Sequence, residues 1–387
     1  MQSLCSKSTG LKLLFILFLI LLQTALQAQF GTRREINIPD ILNYKTLKCD
    51  FHMHTVFSDG DVWPTVRIEE AWREGLDAIA ITDHAERNYR NKEVLLDRNL
   101  SYEIAKGKAE AMGITLIRGI EITKSMPPGH LNALFITDAS FIGDGDWLTD
   151  LKAAFDQGAF IVWNHPGWRG QQKDGIGKWY DEHTLLYNQN IMKGIEVVNE
   201  YDYYPEVHKW CLDKNLTMMG NSDMHDPSNL IIDFANNKHR TMTLVFASGN
   251  DQTAIQDALL NHRTVVYFQN TLIGREYYLN EIFKNSISFS NEQLILHGKK
   301  RVYLQIHNSS DIDYELTLSK EPDELIVPSG ITLFANRTVM LEIQAKDAGS
   351  SWDKTIKIPY VAKNLVIEPD KGLPVAFDVK IEYYPEN

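Results

Sequence analysis

The chain has 387 residues, 44% hydrophobic and 23% charged, the balance of an ordinary globular protein with room for two domains. Its formal net charge is −12 and no basic tract interrupts it, which excludes a protein built to grip the nucleic-acid backbone. An acidic protein can still take phosphorylated substrates where metal ions supply positive charge locally.

The first 28 residues have the form of an export signal. Lys7 and Lys12 precede an uninterrupted apolar run from Leu13 to Leu22, and Gln27-Ala28 offers a small-residue cleavage point. The run falls short of the ~20 residues that span a bilayer. Cleavage after Ala28 would remove two lysines and no acid, leaving a charge of about −14. An exported protein, in the periplasm or outside the cell and soluble once cleaved, is the expectation. Cys49 and Cys211 then remain, a pair that fixes no disulfide framework and has no zinc-ribbon spacing. A bound metal would have to be held by histidines and carboxylates.

The first strand, 48–55, carries His52 and His54 two residues apart, so both imidazoles face one side. Asp59 follows where the strand turns into a loop. Pro64 opens a helix ended by Gly75. The apolar strand 77–82 delivers Asp83 and His84 at its end. A helix over 99–112 stops at Gly113, and the strand 114–122 carries Glu121 near its end. Strand 130–136 starts with His130, a helix covers 147–156, and strand 159–163 runs into Asn164-His165-Pro166. Further along come a strand at 194–198, a helix at 205–214, and Thr217-Met218-Met219-Gly220 leading to Asp223 and His225. A strand at 241–247, a helix at 251–260 and a closing strand at 265–268 end this part. Strand–helix units repeated over some 220 residues, with ionisable residues where strands end, favour an α/β barrel with its site on that rim.

From 276 the texture changes to short alternating strands, among them 301–306, 337–344 and 375–383, punctuated by Asn, Ser, Gly and Pro. This reads as an immunoglobulin-like sandwich without helices. The expected organisation is a signal at 1–28, a catalytic barrel at 29–275 and an accessory β-sandwich at 276–387.

Nine rim residues stand out: His52, His54, Asp59, His84, Glu121, His130, His165, Asp223 and His225, which include six of the 12 histidines. Imidazole and carboxylate suit Zn, Mn or Fe. Nine such groups are enough for two or three ions, which can activate water and stabilise charge during in-line displacement at phosphorus.

The motifs HMHT with SDG, then TDH, GIE, GHLN, NHP and NSDMH, in that order over about 48–270, resemble those of the PHP (polymerase and histidinol phosphatase) family. The resemblance implies a distorted (β/α)7 barrel, a trinuclear metal site and phosphoesterase activity through a metal-bridging hydroxide. It also implies the ligand sets. His52, His54, Glu121 and Asp223 would hold the first metal, with Glu121 bridging to a second completed by His130 and His165. Asp59, His84 and His225 would hold a third, with Asp59 standing where some relatives have His. Catalytic roles fall to Glu121 and Asp223.

For phosphate binding or leaving-group protonation, Arg118, Lys124, Arg169, His208 and Arg240 are the candidates. Arg169 is preferred because it follows His165-Pro166-Gly167-Trp168 on a rim loop. Trp168, Trp179, Tyr201, Tyr203 and Tyr204 make the rim aromatic. The expected substrate is a small phosphorylated molecule, not duplex nucleic acid. Hydrolysis of an amide or lactone, or a non-catalytic binding role, are the alternatives.

Overall fold

A computed structural model describes residues 32–86, 97–291, 293–346 and 349–386; the expected signal segment lies outside them. Among the described residues, no helix is long and apolar enough to cross a membrane.

The first part runs β1 (Lys45–Asp50), α1 (Pro64–Arg73), β2 (Ala78–Ile81), α2 (Leu100–Met112), β3 (Thr115–Thr123) and β4 (His130–Leu134). It continues with α3 (Trp147–Phe155), β5 (Phe160–Trp163), α4 (Asp181–Asn188), β6 (Met192–Asn199), β7 (Asp202–Tyr203) and α5 (Pro205–Asp213). Then come β8 (Thr217–Asn221), the single turn α6 (Ser228–Ile231), β9 (Met242–Ala247), α7 (Gln252–Leu260), β10 (Thr264–Phe268) and β11 (Thr271–Gly274).

Local chemistry sets the ends. Pro64 occupies the first turn of α1. The left-handed Gly113 (φ 68°) terminates α2. Asp146 caps α3 by accepting from the Leu148 and Thr149 N–H groups.

The strand order is β9-β1-β2-β3-β4-β5-β6, with β8 paired to β6. β1, β2 and β3 are parallel, as are β5, β6 and β8. β4 runs against both its neighbours. That departs from the expected repeat of strand and helix. The segment joining β3 to β4 is too short for the crossover that a parallel pair requires, so the two form a hairpin. The reversal puts the start of β4, and therefore His130, on the rim where its neighbours end. β8 meets β9 and β10 through threonines. Thr243 Oγ1 donates to the Gly220 carbonyl at 2.9 Å and Thr264 Oγ1 to that of Met218 at 2.7 Å. The result is a distorted α/β barrel.

A helix the sequence pattern did not announce, α8 (Glu276–Ser286), opens the second part. Its buried stripe of Leu279, Ile282 and Phe283 packs into the junction. The strands β12 (Ile287–Phe289), β13 (Gln293–His297), β14 (Arg301–Asn308), β15 (Tyr314–Leu318) and β16 (Leu325–Ile326) follow. They continue as β17 (Gly330–Leu333), β18 (Arg337–Ala345), β19 (Trp352–Glu368) and β20 (Lys371–Tyr384). Two sheets face each other, β12-β14-β18-β16 on one side and β13-β20-β19 with β15 and β17 on the other. The last two strands are longer than the short-strand pattern suggested. The end of β19 leaves the sandwich and pairs with β11, Leu272 opposite Leu365 and Ile273 opposite Val366. One apolar cluster therefore runs from Phe246 and Leu272 through Phe283 to Tyr314, Tyr360 and Phe377.

Candidate metal centre

Past the end of β1, Met53 bridges to Met224 while His52 and His54 turn the other way into the barrel mouth. Their ring centroids are 5.2 Å apart and both residues are fully buried. β3 brings Glu121, reversed β4 brings His130, and the turn after β5 brings His165. Asp223 and His225 follow β8. His165 (φ 28°) and Asp223 (φ 49°) lie in the left-handed region, strain that costs residues other than glycine of order 1–3 kcal/mol and gathers at functional sites.

All nine rim residues come together. Asp223 Oδ1 lies 3.0 Å from His52 Nε2 and 3.1 Å from His54 Nε2. Glu121 lies in the middle: Oε1 is 3.5 Å from His52 Nε2, 3.4 Å from His165 Nε2 and 3.1 Å from His130 Nδ1. Its Oε2 is 3.5 Å from His54 Nε2 and 2.7 Å from His84 Nδ1. Asp59 bridges the outer side, 3.3 Å from the Nε2 atoms of both His84 and His225.

Four groups emerge whose ligand atoms lie within 4.8 Å of one another. They are His52, His54 and Asp223; His52, Glu121 and His165; His84, Glu121 and His130; and His54, Asp59, His84 and His225. His54 thus belongs to the outer group as well as the inner one.

Whether these residues fit metal is decided by four atoms. His52 Nε2, His54 Nε2, Glu121 Oε2 and Asp223 Oδ1 are buried and have no hydrogen-bond partner among the described residues. Orphaned polar atoms at a buried site are costly. Asp223 Oδ1 stands 3.0 and 3.1 Å from the two imidazole nitrogens and Glu121 Oε2 3.5 Å from His54 Nε2, separations near the ~3.4 Å between donors that surround an ion tetrahedrally at about 2.1 Å.

Charge agrees. Burial raises the Glu121 carboxyl, but His84, His130 and His52 outweigh it and hold the group well below the carboxylate range. Burial likewise opposes ionisation of Asp223, and His52 and His54 overcome it. Burial, with His225 and His84 nearby, pushes His54 down to about 3, so it stays neutral with a free lone pair.

A second layer orients the ligands. Glu196 Oε1 is 2.8 Å from His52 Nδ1, while Oε2 accepts the His165 N–H at 2.7 Å. Asn164 donates to Glu121 Oε1 at 2.9 Å. Asp83 accepts from the Thr55 N–H at 2.7 Å and the Ser58 hydroxyl at 2.9 Å, fixing the loop that carries Asp59. Glu196 and Arg67 join the site from outside the motifs. Glu196 had a signal: it repeats the Gly-Ile-Glu of Glu121 inside an apolar strand. Arg67 had none, since it reads as one more charge on an exposed helix.

The expected phosphate-binding cations are placed differently. Arg118 points to the outside of the barrel, stacked 4.0 Å over Tyr102 and bonded to Asn99 at 2.7 Å and to Glu103. Buried His208 lies on α5, bonded through Nδ1 to the Tyr203 hydroxyl at 2.9 Å. Both were expected at the site because a linear sequence does not show which face of an element a cation takes. Lys124 is held by Asp150 at 2.8 Å and Glu86 at 2.9 Å. Arg240 is buried between Glu74 at 2.6 Å and Asp50 at 3.0 Å, which take up its charge. The exposed Arg169 folds back on its own loop, donating to the Lys173 carbonyl at 3.4 Å.

Of the aromatic residues, Trp168 covers the centre, its ring 5.6 Å from His130 and 5.5 Å from His165. Tyr201 lines a cavity of about 220 Å³ that opens beside Asp223 and His225 and is also walled by Glu200, Ile231 and Arg240. Trp179 belongs to the core, edge-on to Trp163 and Trp210. Cys49 and Cys211 are free and sit in separate core clusters.

The sequence pattern of the PHP domain matches residues 50–240, and that of an Ig-like domain matches 287–378. A solved two-domain protein of Bacteroides vulgatus, described as containing a predicted PHP-like metal-dependent phosphoesterase, is 42% identical. The match covers 90% of this chain and 99% of that one, with a TM-score of 0.84. The chain belongs to the PHP family. An uncharacterized protein of Methanocaldococcus jannaschii is 28% identical over 199 residues, 48% of this chain and 85% of its own length. In this PHP protein the nine rim residues form one cluster at the barrel mouth, with Asp59, His84 and His225 on its partly exposed side.

Proposed function

We propose that this PHP protein hydrolyses phosphoesters at a centre of two or three divalent ions, with His52, His54, Asp59, His84, Glu121, His130, His165, Asp223 and His225 as their ligands. The observation that carries the reading is the convergence of four buried, unpartnered ligand atoms from His52, His54, Glu121 and Asp223. Bound there, divalent ions supply Lewis acidity and an activated water for attack at phosphorus. Glu121 faces both the inner and the outer histidines and so can serve two positions at once. With Arg118 and His208 turned to other partners and the charges of Lys124 and Arg240 taken up by neighbouring carboxylates, the counter-charge for a phosphoryl group would come from the ions, in keeping with an acidic chain. The cavity beside Asp223 and His225 would take the organic part of a small phosphorylated substrate, and Trp168 would shield the centre from water.

The barrel at 29–275 would be the catalytic unit and 276–387 an accessory unit, with residues 1–28 directing export. The test is release of p-nitrophenol by metal-loaded protein from p-nitrophenyl phosphate and from its bis ester, with Glu121→Gln as control. Turnover that collapses in the variant supports the reading, and the preferred ester sets the substrate class. No turnover of either ester by protein with verified metal would reject it in favour of amide or lactone hydrolysis or a binding role.

A further inference from the structure

Arg67 on α1 is fully buried, and each of its five N–H groups has an acceptor. Nε donates to the His54 carbonyl at 2.9 Å. Nη2 donates to the carbonyls of Met224 at 2.9 Å and His225 at 2.6 Å. Nη1 donates to the Asp226 carbonyl at 2.9 Å and to Glu70 Oε2 at 2.8 Å. Two of these carbonyls belong to ligand residues themselves, and the other two flank His225. The same two backbone segments are joined directly, His54 N–H to the Met224 carbonyl and Asp61 N–H to the His225 carbonyl, each at 2.9 Å. Glu70 completes the unit by accepting the Ser228 N–H at 2.9 Å through its other oxygen.

We propose that Arg67, neutralised by Glu70, is the positioning residue of the outer metal position formed by His54, Asp59, His84 and His225. This rests on the metal-centre reading above. A buried guanidinium alone would oppose cations nearby; with Glu70 beside it the pair is neutral and leaves a four-pronged clamp on the backbone. None of its bonds goes to His52, Glu121 or His165. That inner group has its own support, Glu196, which holds the His52 ring and the His165 N–H. The outer position is thus anchored by Arg67 from a helix and the His52, Glu121 and His165 group by Glu196 from a strand, with His54 shared between the outer position and the group of His52 and Asp223. Lysine cannot replace the clamp, because its three donors radiate from a single point.

The experiment uses the full chain loaded with Mn or Zn and titrated with a graded chelator, counting metal per chain by elemental analysis. Second-layer changes typically cost about 10–100-fold in metal affinity. Arg67→Lys is expected to weaken one class of bound metal by that factor and spare the rest, whereas Glu196→Gln weakens a different class. Should Arg67→Lys fail to fold, Glu70→Gln provides the second probe: it leaves the guanidinium charge uncompensated and weakens the same class that Arg67 serves. Equal weakening of every metal in both the Arg67 and Glu196 variants, or no change with only a lowered Tm, would overturn the proposal. A wild-type chain that retains no metal overturns the metal-centre reading itself. Because metal is counted without substrate, absence of phosphoesterase turnover is a separate result.

Discussion

His183 lies flat on Trp163, ring centroids 3.6 Å apart and planes within 19°. Its Nδ1 accepts the Tyr180 N–H at 3.0 Å and its Nε2 faces the Pro128 carbonyl at 2.8 Å. A backbone donor on one side and an acceptor on the other fix the neutral tautomer with the proton on Nε2. Burial pushes its pKa down to about 4.

This lock makes part of the stability depend on pH. The unfolded histidine titrates near 6.5, above the folded value, so the unfolded chain takes up the proton first. The contribution is complete above pH ~6.5 and falls away as pH drops toward 4, amounting to about 3 kcal/mol at 1.36 kcal/mol per unit. Urea denaturation of wild type and His183→Gln at pH 7.5 and pH 4 checks it. The gap between the two proteins should narrow by that amount in acid. A constant gap would mean that the buried imidazole does not titrate in this window.

Metal should stabilise the fold directly. His52 Nε2, His54 Nε2, Glu121 Oε2 and Asp223 Oδ1 have no hydrogen bond among the described residues, and a bound ion would supply the partner each lacks. Ligand at a hundredfold excess over its Kd adds about 2.7 kcal/mol. Thermal melts should show a higher Tm with Mn or Zn than with chelator, and Glu121→Gln should reduce the increment. Equal melting with and without metal would deny that the cluster binds it.

Gly60 is required by a close approach. A Cβ there would stand 2.7 Å from both the C and O atoms of His54 and 2.8 Å from the Thr55 nitrogen, all backbone atoms that cannot swing aside. Gly60→Ala should therefore push the Asp59 loop away from His84 and His225. A cost of about 1–3 kcal/mol in stability is expected, together with loss of metal from the outer position. Calorimetry and metal counting would report both; unchanged metal content would show that the loop has slack.

The sequence revealed the centre well because its ligands sit at strand ends, where polar residues interrupt apolar runs. The barrel was legible for the same reason. What stayed hidden depended on contacts distant in sequence. Arg67 serves His54 and His225 from a helix whose pattern looks superficial. Arg118 and Arg240 looked available, but Tyr102 with Glu103 and Asp50 with Glu74 had already engaged them. The reversal of β4 left only one trace, a histidine at the start of its strand rather than the end. Helix α8 was masked because its apolar stripe faces the domain junction, and the alternating strands after it set the reading of the whole region.

That junction yields the last prediction. β19 runs on from the sandwich to pair with β11, and Asn364 Nδ2 donates to the Asn270 carbonyl at 2.6 Å and to that of Asp313 at 2.8 Å. Asp311 accepts the Asn37 N–H at 2.8 Å through Oδ2. Phe283 of α8 meets Tyr314 edge-on at 5.1 Å and stacks at 6.5 Å with Phe377. Removing residues 287–387 would strip β11 of its neighbour and open the apolar cluster beneath α8, the exposed edge and patch that drive aggregation. The shortened chain should be insoluble or melt far below the full chain. Phe283→Ala, a milder cut at the same place, should cost about 3–5 kcal/mol. A shortened barrel that stays monomeric with the full chain's Tm would show that β19 and α8 only lean on the barrel and do not complete its core.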